Sequence, residues 1–341
     1  MLIYDRVQAI SVMNNLGAKG IPFVFLIDFE MKKIIISTKM KNDGELQFTM
    51  NGFCNHSDSA NNVYPSFLET YPISQTNYAE KFKLVKAEIQ QGNSFLLNLS
   101  CQSKIVTNLT LNDIYRTTNA KYKVLLENEF VCFSPEIFVQ IKEGRIRSYP
   151  MKGTIDANVS NAKTIILEDK KELAEHYTIV DLIRNDLSRV AKKVKVDRFR
   201  YVDHISTSKK DLLQVSSEVS GELPNNYTNS IGSILFELLP AGSISGAPKV
   251  KTLEIIRKAE GQDRGYYTGI CGHFDGKNLD SGVMIRFIEK VEDTLYYRSG
   301  GGITSLSEMN SEYQEMLDKI YLPIPNQVQT PASDQLLANN E

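Results

Sequence analysis

The sequence has 341 residues, enough for two or three small domains or one large one, and its 42% hydrophobic and 23% charged content is that of a soluble globular protein. With 39 basic against 41 acidic residues, a net charge of -2, it offers no overall basic surface for nucleic acid. No apolar run approaches about 18 residues, the length of a membrane span. Met1 to Arg6 lacks a signal-peptide pattern, and Cys54, Cys101, Cys132 and Cys271 form no Cys-x-x-Cys pair, so the expectation is a cytoplasmic protein with reduced thiols.

In chain order, Pro22 to Asp28 reads as a buried strand and Lys33 to Thr38 as its hairpin partner, so the chain is expected to open with β structure. Residues 54 to 77, rich in Asn, Ser and Pro, mark a loop or divide. Tyr78, Phe82, Val85 and Ile89 recur at helical spacing, and Gly92 can end that helix. Strands are expected at Phe95 to Ser100, Lys121 to Leu126, Phe130 to Phe133 and Ile137 to Ile141, the last two flanking Ser134-Pro135-Glu136. After a polar link, Leu173, Tyr177, Val180, Ile183, Leu187 and Val190 stripe a long helix over Lys170 to Ala191.

Strands follow near Lys195 to His204 and Leu212 to Ser220. A helix at Ser230 to Leu239 and another at Val250 to Ala259 flank the glycine-rich Pro240 to Lys249. Gly265 to Phe274, Ser281 to Glu289 and Thr294 to Ser299 alternate as an antiparallel set, which Gly300-Gly301-Gly302 is expected to break, and a last helix covers Ser311 to Tyr321. Runs of strands punctuated by single helices predict an α+β fold with mainly antiparallel sheets. The expected organisation is a short β-rich section over 1–77, a main domain over 78–322 and a disordered tail over 323–341.

The turn Tyr149-Pro150-Met151-Lys152-Gly153-Thr154 sets one lysine on a defined bend, since proline fixes its own φ and Gly153 frees the backbone after it. Such a lysine can attack an electrophilic carbon if burial or a neighbouring cation lowers its pKa; the plain alternative is a solvated loop lysine. Glu172 and Glu175 on the long helix, and Glu312 and Glu315 on the last one, each place two carboxylates on one helical face. Opposed, the two faces would suit Mg²⁺; taken singly, each is also an ordinary acidic helix start. Lys319, two turns after Glu312, complements a carboxylate or pairs with Glu315. Gly242 to Pro248 and Gly300 to Gly302 offer backbone N–H groups to an anion, or are plain turns, and neither has the spacing of a Walker loop or a dinucleotide fingerprint. Arg286, read as lying inside a strand, needs an anionic partner such as a substrate carboxylate, and Tyr266 and Tyr267 are placed on a nearby strand. His56, His204 and His273 receive no role.

Pro150-Met-Lys-Gly-Thr154, Glu172-x-x-Glu175-His176 running into Asp181-Leu-Ile-Arg-Asn-Asp186, Gly242-Ser-Ile-Ser-Gly-Ala-Pro-Lys249, Arg264-Gly-Tyr-Tyr-x-Gly269, Ile285-Arg286 and Glu312-Tyr-x-Glu315 come in an order that resembles the chorismate-utilising enzymes. The likeness covers Tyr78 to Leu322, and the lysine turn is similar to that of the aminodeoxychorismate synthases, the aminases of 4-aminobenzoate and folate synthesis. The resemblance implies a large fold of packed antiparallel sheets with helices outside, and Mg²⁺ between Glu172, Glu175, Glu312 and Glu315. It assigns the two carboxylates of chorismate to Ser243, Tyr267, Arg286, Lys319 and the backbone of Gly300, Gly301 and Gly302, with Thr154 beside the ring. It further implies that Lys152 adds to ring C2 while the C4 hydroxyl leaves, that ammonia attacks C4, and that the lysine is expelled to leave 4-amino-4-deoxychorismate. The ammonia would come from a separate glutaminase, because no cysteine here has the setting of a glutaminase nucleophile.

Anthranilate synthases carry a small residue at the Lys152 position and a histidine where this chain has Gln214, and both differences weigh against pyruvate elimination. Anthranilate synthase component I and a chorismate-binding subunit without activity remain the alternatives. Residues 1 to 77 lack the Leu-Leu-Glu-Ser type segment that accompanies a tryptophan pocket in the longer members. The chain is therefore expected not to bind tryptophan, and a calorimetric titration showing tight tryptophan binding would overturn this.

Overall fold

The computed structural model describes residues 2–41, 44–56, 67–206, 211–322 and 328–329. The two-residue strand β1 (Ile3–Tyr4) leads into helix α1 (Arg6–Ala18), then strands β2 (Phe23–Ile27), β3 (Ile34–Ser37), β4 (Leu46–Met50), β5 (Phe53–Cys54) and β6 (Phe67–Tyr71). Helix α2 (Gln75–Gln90), strand β7 (Leu96–Thr107) and helix α3 (Leu111–Thr117) precede the strands β8 (Tyr122–Leu126), β9 (Phe130–Ser134), β10 (Ile137–Lys142), β11 (Arg145–Ser148) and β12 (Met151–Asp156). Helices α4 (Ala162–Glu168) and α5 (Lys170–Ser188) are followed by the long strands β13 (Lys192–Ser206) and β14 (Asp211–Glu222). Helices α6 (Ile231–Leu238) and α7 (Gly242–Ser245), strand β15 (Gly246–Ala247) and helix α8 (Lys249–Glu260) come next. The chain continues through β16 (Ile270–Phe274), β17 (Leu279–Val283), β18 (Phe287–Val291), β19 (Thr294–Thr304), α9 (Met309–Asp318) and β20 (Val328–Gln329).

Among the described residues the strands form two ten-stranded sheets. One runs β1-β3-β2-β16-β17-β10-β11-β14-β12 with β13 on β14, the other β20-β6-β7-β19-β18-β9-β8-β4-β5 with β15 on β7. The β20–β6 pair is parallel, while the long central ladders, such as β7 on β19 and β13 on β14, are antiparallel. This is the expected α+β class with packed antiparallel sheets. Strands from residues 1–77 enter both sheets, β2 pairing with β16 and β4 with β8.

Strand β2 shows why its sequence is apolar at every position. Phe23, Phe25 and Ile27 pack with Ala9 and Met13 of α1 and Ile231 and Leu235 beneath α6, whereas Val24 and Leu26 face Phe48, Tyr122 and Cys132 of the other sheet. Burial of both faces removes the polar alternation of a half-exposed strand. A third cluster fills the outer face of the second sheet with α2, α8 and α9, through Tyr78, Val85, Ile255 and Met316. The helices therefore flank two sheets that meet face to face.

Several local expectations are corrected. The chain opens with α1 rather than β structure alone: the Asp5 side chain accepts a hydrogen bond from Gln8 N while Gln8 Oε1 accepts one from Asp5 N, a capping box before a helix that buries Ala9, Met13 and Gly17. The polar link before α5 holds α4, and β6 lies within the stretch read as a loop over 54–77. Gly300, Gly301 and Gly302 lie inside β19 instead of breaking it, paired with Ser100, Leu99 and Asn98. Here glycine marks close approach, since a Cβ on Gly300 would come within 2.3 Å of the Leu99 carbonyl oxygen. Arg286 lies outside any strand, in the break between β17 and β18 with φ +54, and Tyr266 and Tyr267 sit in the turn before β16. The tail expectation over 323–341 falls outside the described residues except at Val328–Gln329, which pair with β6.

The sheets touch closely at Gly282 of β17, where an added Cβ would lie 2.5 Å from the fully buried Tyr122 ring of β8. The Tyr122 hydroxyl in turn donates to Asp280 of β17. Gly282→Ala is expected to lower the unfolding free energy by about 1–3 kcal/mol through overpacking. Urea denaturation measures this, and unchanged stability would contradict the contact.

Candidate active site

A cleft of 1360 Å³ opens between the two sheets, walled by β12, α5, α7, β19, the end of α9 and the residues around Arg286. Lys152 reaches it because β12 is irregular. Met151 pairs with Ser216 and Thr154 with Gln214, but the register shifts between them, and Gly153 holds φ +87. The bulge turns Lys152 off the ladder and into the cleft. Its Nζ lies 2.6 Å from Glu175 Oε2. Asp169 caps α5 by accepting from Glu172 N at 2.9 Å, which fixes the helix start that carries both glutamates. A Cβ at Gly153 would sit 3.2 Å from Glu172 Oε2.

Across the cleft, α9 brings Glu312 and Glu315 against β19. A Cβ at Gly301 would approach Glu315 Oε1 at 3.3 Å and Glu312 Oε2 at 3.4 Å. With glycine at 153 and 301, Glu172, Glu175 and Glu315 line the cleft. Lys319 Nζ donates to Glu315 Oε1 and to the Gly300 carbonyl, each at 2.7 Å. Among the described residues no three carboxylates, histidines or cysteines lie close enough together to enclose a metal ion. The donor set itself, four carboxylates on two helices, has the oxygen chemistry of a hard divalent cation.

The electrostatics differ from the sequence expectation at Lys152. Burial pulls its pKa down, but Glu175, then Glu172 and Glu315, outweigh that, and the pKa stands above the ordinary lysine value. The group is an ammonium paired with a carboxylate, so any nucleophilic role requires it to give up a proton first. Lys319 is pushed the other way by burial, against the pull of Glu315. Tyr267, 3% exposed, has its phenol pushed up to about 12 by burial.

Thr154, Gln214, Tyr267, Arg286 and Gly300 to Gly302 all line this cleft; Ser243 does too, but its hydroxyl donates to Glu136 Oε1 at 2.6 Å. Glu312 stands behind Gly301, 4% exposed. Glu136 is the residue that sequence reading passed over. It lies in the Ser134-Pro135-Glu136 turn, lines the cleft, and burial raises its pKa against the opposing effects of Ser243, Arg286 and Lys319. The signal was a lone acidic residue in a turn leading to the lysine segment, and only the fold shows that it is half-buried in the cleft. His56 bonds Tyr115 Oη at 2.7 Å, His204 lies 3.7 Å from Asp211, and His273 stacks on Phe53, so none of the three reaches the cleft.

Behind the cleft wall, Arg264 and Glu260 form a buried pair, each side chain 1% exposed. Arg264 Nε and Nη2 donate to Glu260 at 2.9 and 2.6 Å, Nη1 to the Ile244 carbonyl at 2.9 Å, and Nη2 also to the Asn98 carbonyl at 2.8 Å. Glu260 accepts from Ser100 N at 2.8 Å and Ser100 Oγ at 2.9 Å. A second pair, Lys249 with Asp186 at 2.9 Å, ties α8 to α5.

The profile of the chorismate binding enzyme family matches residues 14–325. The chain belongs to that family. An "Uncharacterized PabA-like protein" of Haemophilus influenzae is 50% identical over 317 residues, 92% of this chain and 96% of the relative. "Anthranilate synthase component 1 1" of Haloarcula marismortui is 35% identical over 72% of this chain. "Aminodeoxychorismate synthase component 1" of Bacillus subtilis is 31% identical over 73% of this chain. The chain spans about half of the last two relatives, 52% and 55% of their lengths. Among solved structures, the menaquinone-specific isochorismate synthase of Escherichia coli superposes with a TM-score of 0.72 at 15% identity, over 94% of this chain and 82% of that one, a likeness of fold. No helix among the described residues is long and apolar enough to cross a membrane.

The Arg264–Glu260 pair is open to direct test. Arg264→Met leaves the Glu260 carboxylate buried and unpaired and is expected to cost about 3–5 kcal/mol of stability, with part recovered in Arg264→Met/Glu260→Gln. Chemical denaturation of single and double variants measures this, and a double variant no better than the single would show that the stranded charge is not the cause.

Proposed function

We propose that the chain is the aminase subunit of a two-component aminodeoxychorismate synthase in the cytoplasm, converting chorismate and ammonia to 4-amino-4-deoxychorismate. The observation that carries this reading is Lys152, set by the β12 bulge into the cleft of a chorismate binding enzyme. Anthranilate synthesis is the rival reading, favoured by the 35% identity to the Haloarcula relative. Lysine chemistry at ring C2 separates the two.

In the proposed reaction, Lys152 first loses its proton, and Glu175 Oε2 at 2.6 Å is the group placed to accept it. The amine forms a bond to C2, the ring double bonds shift, and the C4–oxygen bond breaks. The departing hydroxyl takes a proton and leaves as water; Glu136, whose raised pKa favours the protonated acid, is the donor in the cleft. Ammonia then bonds to C4, the double bonds return, and the C2–nitrogen bond breaks to restore Lys152. Arg286, Tyr267, Lys319 and the Gly300 to Gly302 backbone hold the substrate carboxylates, with Thr154 beside the ring. Mg²⁺ would be held by Glu172, Glu175, Glu312 and Glu315, neutralising the ring carboxylate when bound.

Ammonia is assigned to a glutaminase partner. Burial pushes the Cys101 and Cys271 thiols up to about 12 and raises Cys132 as well, so these three are poor thiolate nucleophiles. Cys54 is exposed, with its thiol directed to the His56 carbonyl.

The test is a mass-spectrometric product assay with chorismate, Mg²⁺ and excess ammonium. Wild type is expected to yield 4-amino-4-deoxychorismate, and both Lys152→Ala and removal of Mg²⁺ by a chelator are expected to abolish it. Anthranilate as product would instead select the rival, and chorismate binding without turnover would make the chain a binding subunit.

A further inference from the structure

Arg298 and Ser299 are the residues of β19 with side chains that line the cleft, since the next three are glycines, and the Arg298 guanidinium is engaged by Glu289. Residues two apart in a strand share a face, so Tyr297, Ser299 and Gly301 point the same way. Gly301 on this face meets Glu312 and Glu315. Phe287 pairs with Arg298, so Arg286, in the break just before Phe287, and Ser299, just after Arg298, both lie at the end of the β18–β19 ladder. Ser299 thus stands between the glutamate end of the cleft and its arginine.

Two polar atoms of the cleft lining here have no hydrogen-bond partner among the described residues, and Tyr297 Oη, outside the lining, is a third such atom, also on β19. Ser299 Oγ is buried, in a residue 3% exposed that lines the cleft, and has no hydrogen-bond partner among the described residues; Arg286 Nε is in the same condition. A buried donor without an acceptor costs stability, and two such donors in residues that line one cleft at the end of the same ladder are complementary to an oxygen that arrives with a ligand. A carboxylate accepts only, which suits a hydroxyl and a guanidinium N–H converging on it.

We infer that Ser299 Oγ and Arg286 Nε together bind one carboxylate of the substrate, which makes Ser299 a substrate-binding residue. The inference rests on the chorismate reading for the identity of that carboxylate. The hydroxyl adds a directional contact where the glycines supply only backbone, and it fixes the carboxylate against rotation about the arginine. Ser103 provides an internal control. Its Oγ is also buried without a partner among the described residues, but it sits on β7 and does not line the cleft.

The experiment is equilibrium dialysis of chorismate in the presence of Mg²⁺ and the absence of ammonia, on wild type, Ser299→Ala and Ser103→Ala, with melting temperatures in parallel. Ser299→Ala is expected to bind about tenfold more weakly, the worth of a hydrogen bond to a charged group, with its melting temperature unchanged or raised because no internal bond is lost. Ser103→Ala is expected to bind as wild type does. Equal binding by wild type and Ser299→Ala, or equal weakening in both variants, would overturn the inference while leaving the chorismate reading intact. A wild type that binds no chorismate would overturn both.

Discussion

The buried ion pair between Arg264 and Glu260 is the constraint on which the cleft depends. Removing two charges from water is costly, and the cost is offset only when every donor and acceptor is used at good geometry. Here Arg264 reaches Glu260, the α7 carbonyl of Ile244 and the β7 carbonyl of Asn98, while Glu260 collects two hydrogen bonds from Ser100. Ser100 and Asn98 pair across the ladder with Gly300 and Gly302. Arg264 also begins the turn that carries Tyr267 and Thr268. One pair of charges therefore holds α7, the glycine stretch of β19 and the tyrosine turn in fixed relation, and all three are walls of the cleft. Glu30 completes the arrangement by accepting from Arg264 N and Gly265 N.

Inside the cleft the charges are arranged for exchange rather than for rest. Glu136, Asp156, Glu172, Glu175, Glu315 and Asp318 set six carboxylates against four cations, Lys152, Arg286, Arg298 and Lys319, with Glu312 behind Gly301. A substrate with two carboxylates would add to an already negative set, which is the physical argument for a divalent cation in the proposed reaction. Lys152 is paired directly with Glu175 and Lys319 with Glu315, each at hydrogen-bond distance. Glu136 is held differently, because burial dominates its environment and its contacts with Ser243, Arg286 and Lys319 only moderate that.

Helices with one buried stripe were legible from periodicity: α2 buries Tyr78, Phe82, Val85 and Ile89, as their spacing implies. Helix α1 was not, because its apolar positions are spread around it instead of gathered in one stripe, with Val7 76% exposed; its start signal is the Asp5 to Gln8 capping box. The three glycines of β19 misled because glycine in a strand reads as a break, whereas here it admits a neighbouring backbone and two glutamate side chains. Arg286 misled in the opposite direction, since its apolar neighbours hid a left-handed turn at φ +54.

What the sequence determined by itself was the inventory: the lysine turn, the two spaced glutamate pairs, the glycine stretches and Arg286, because residue type and helical spacing are local properties. Tertiary structure alone decided that they share one cleft, since the β12 bulge, the β7–β19 register and the packing of α5 and α9 join segments more than a hundred residues apart. It also decided the charge states, because a pKa depends on what burial removes and which charge is brought near. The pKa values of Lys152 and Glu136 both end above their ordinary values for that reason.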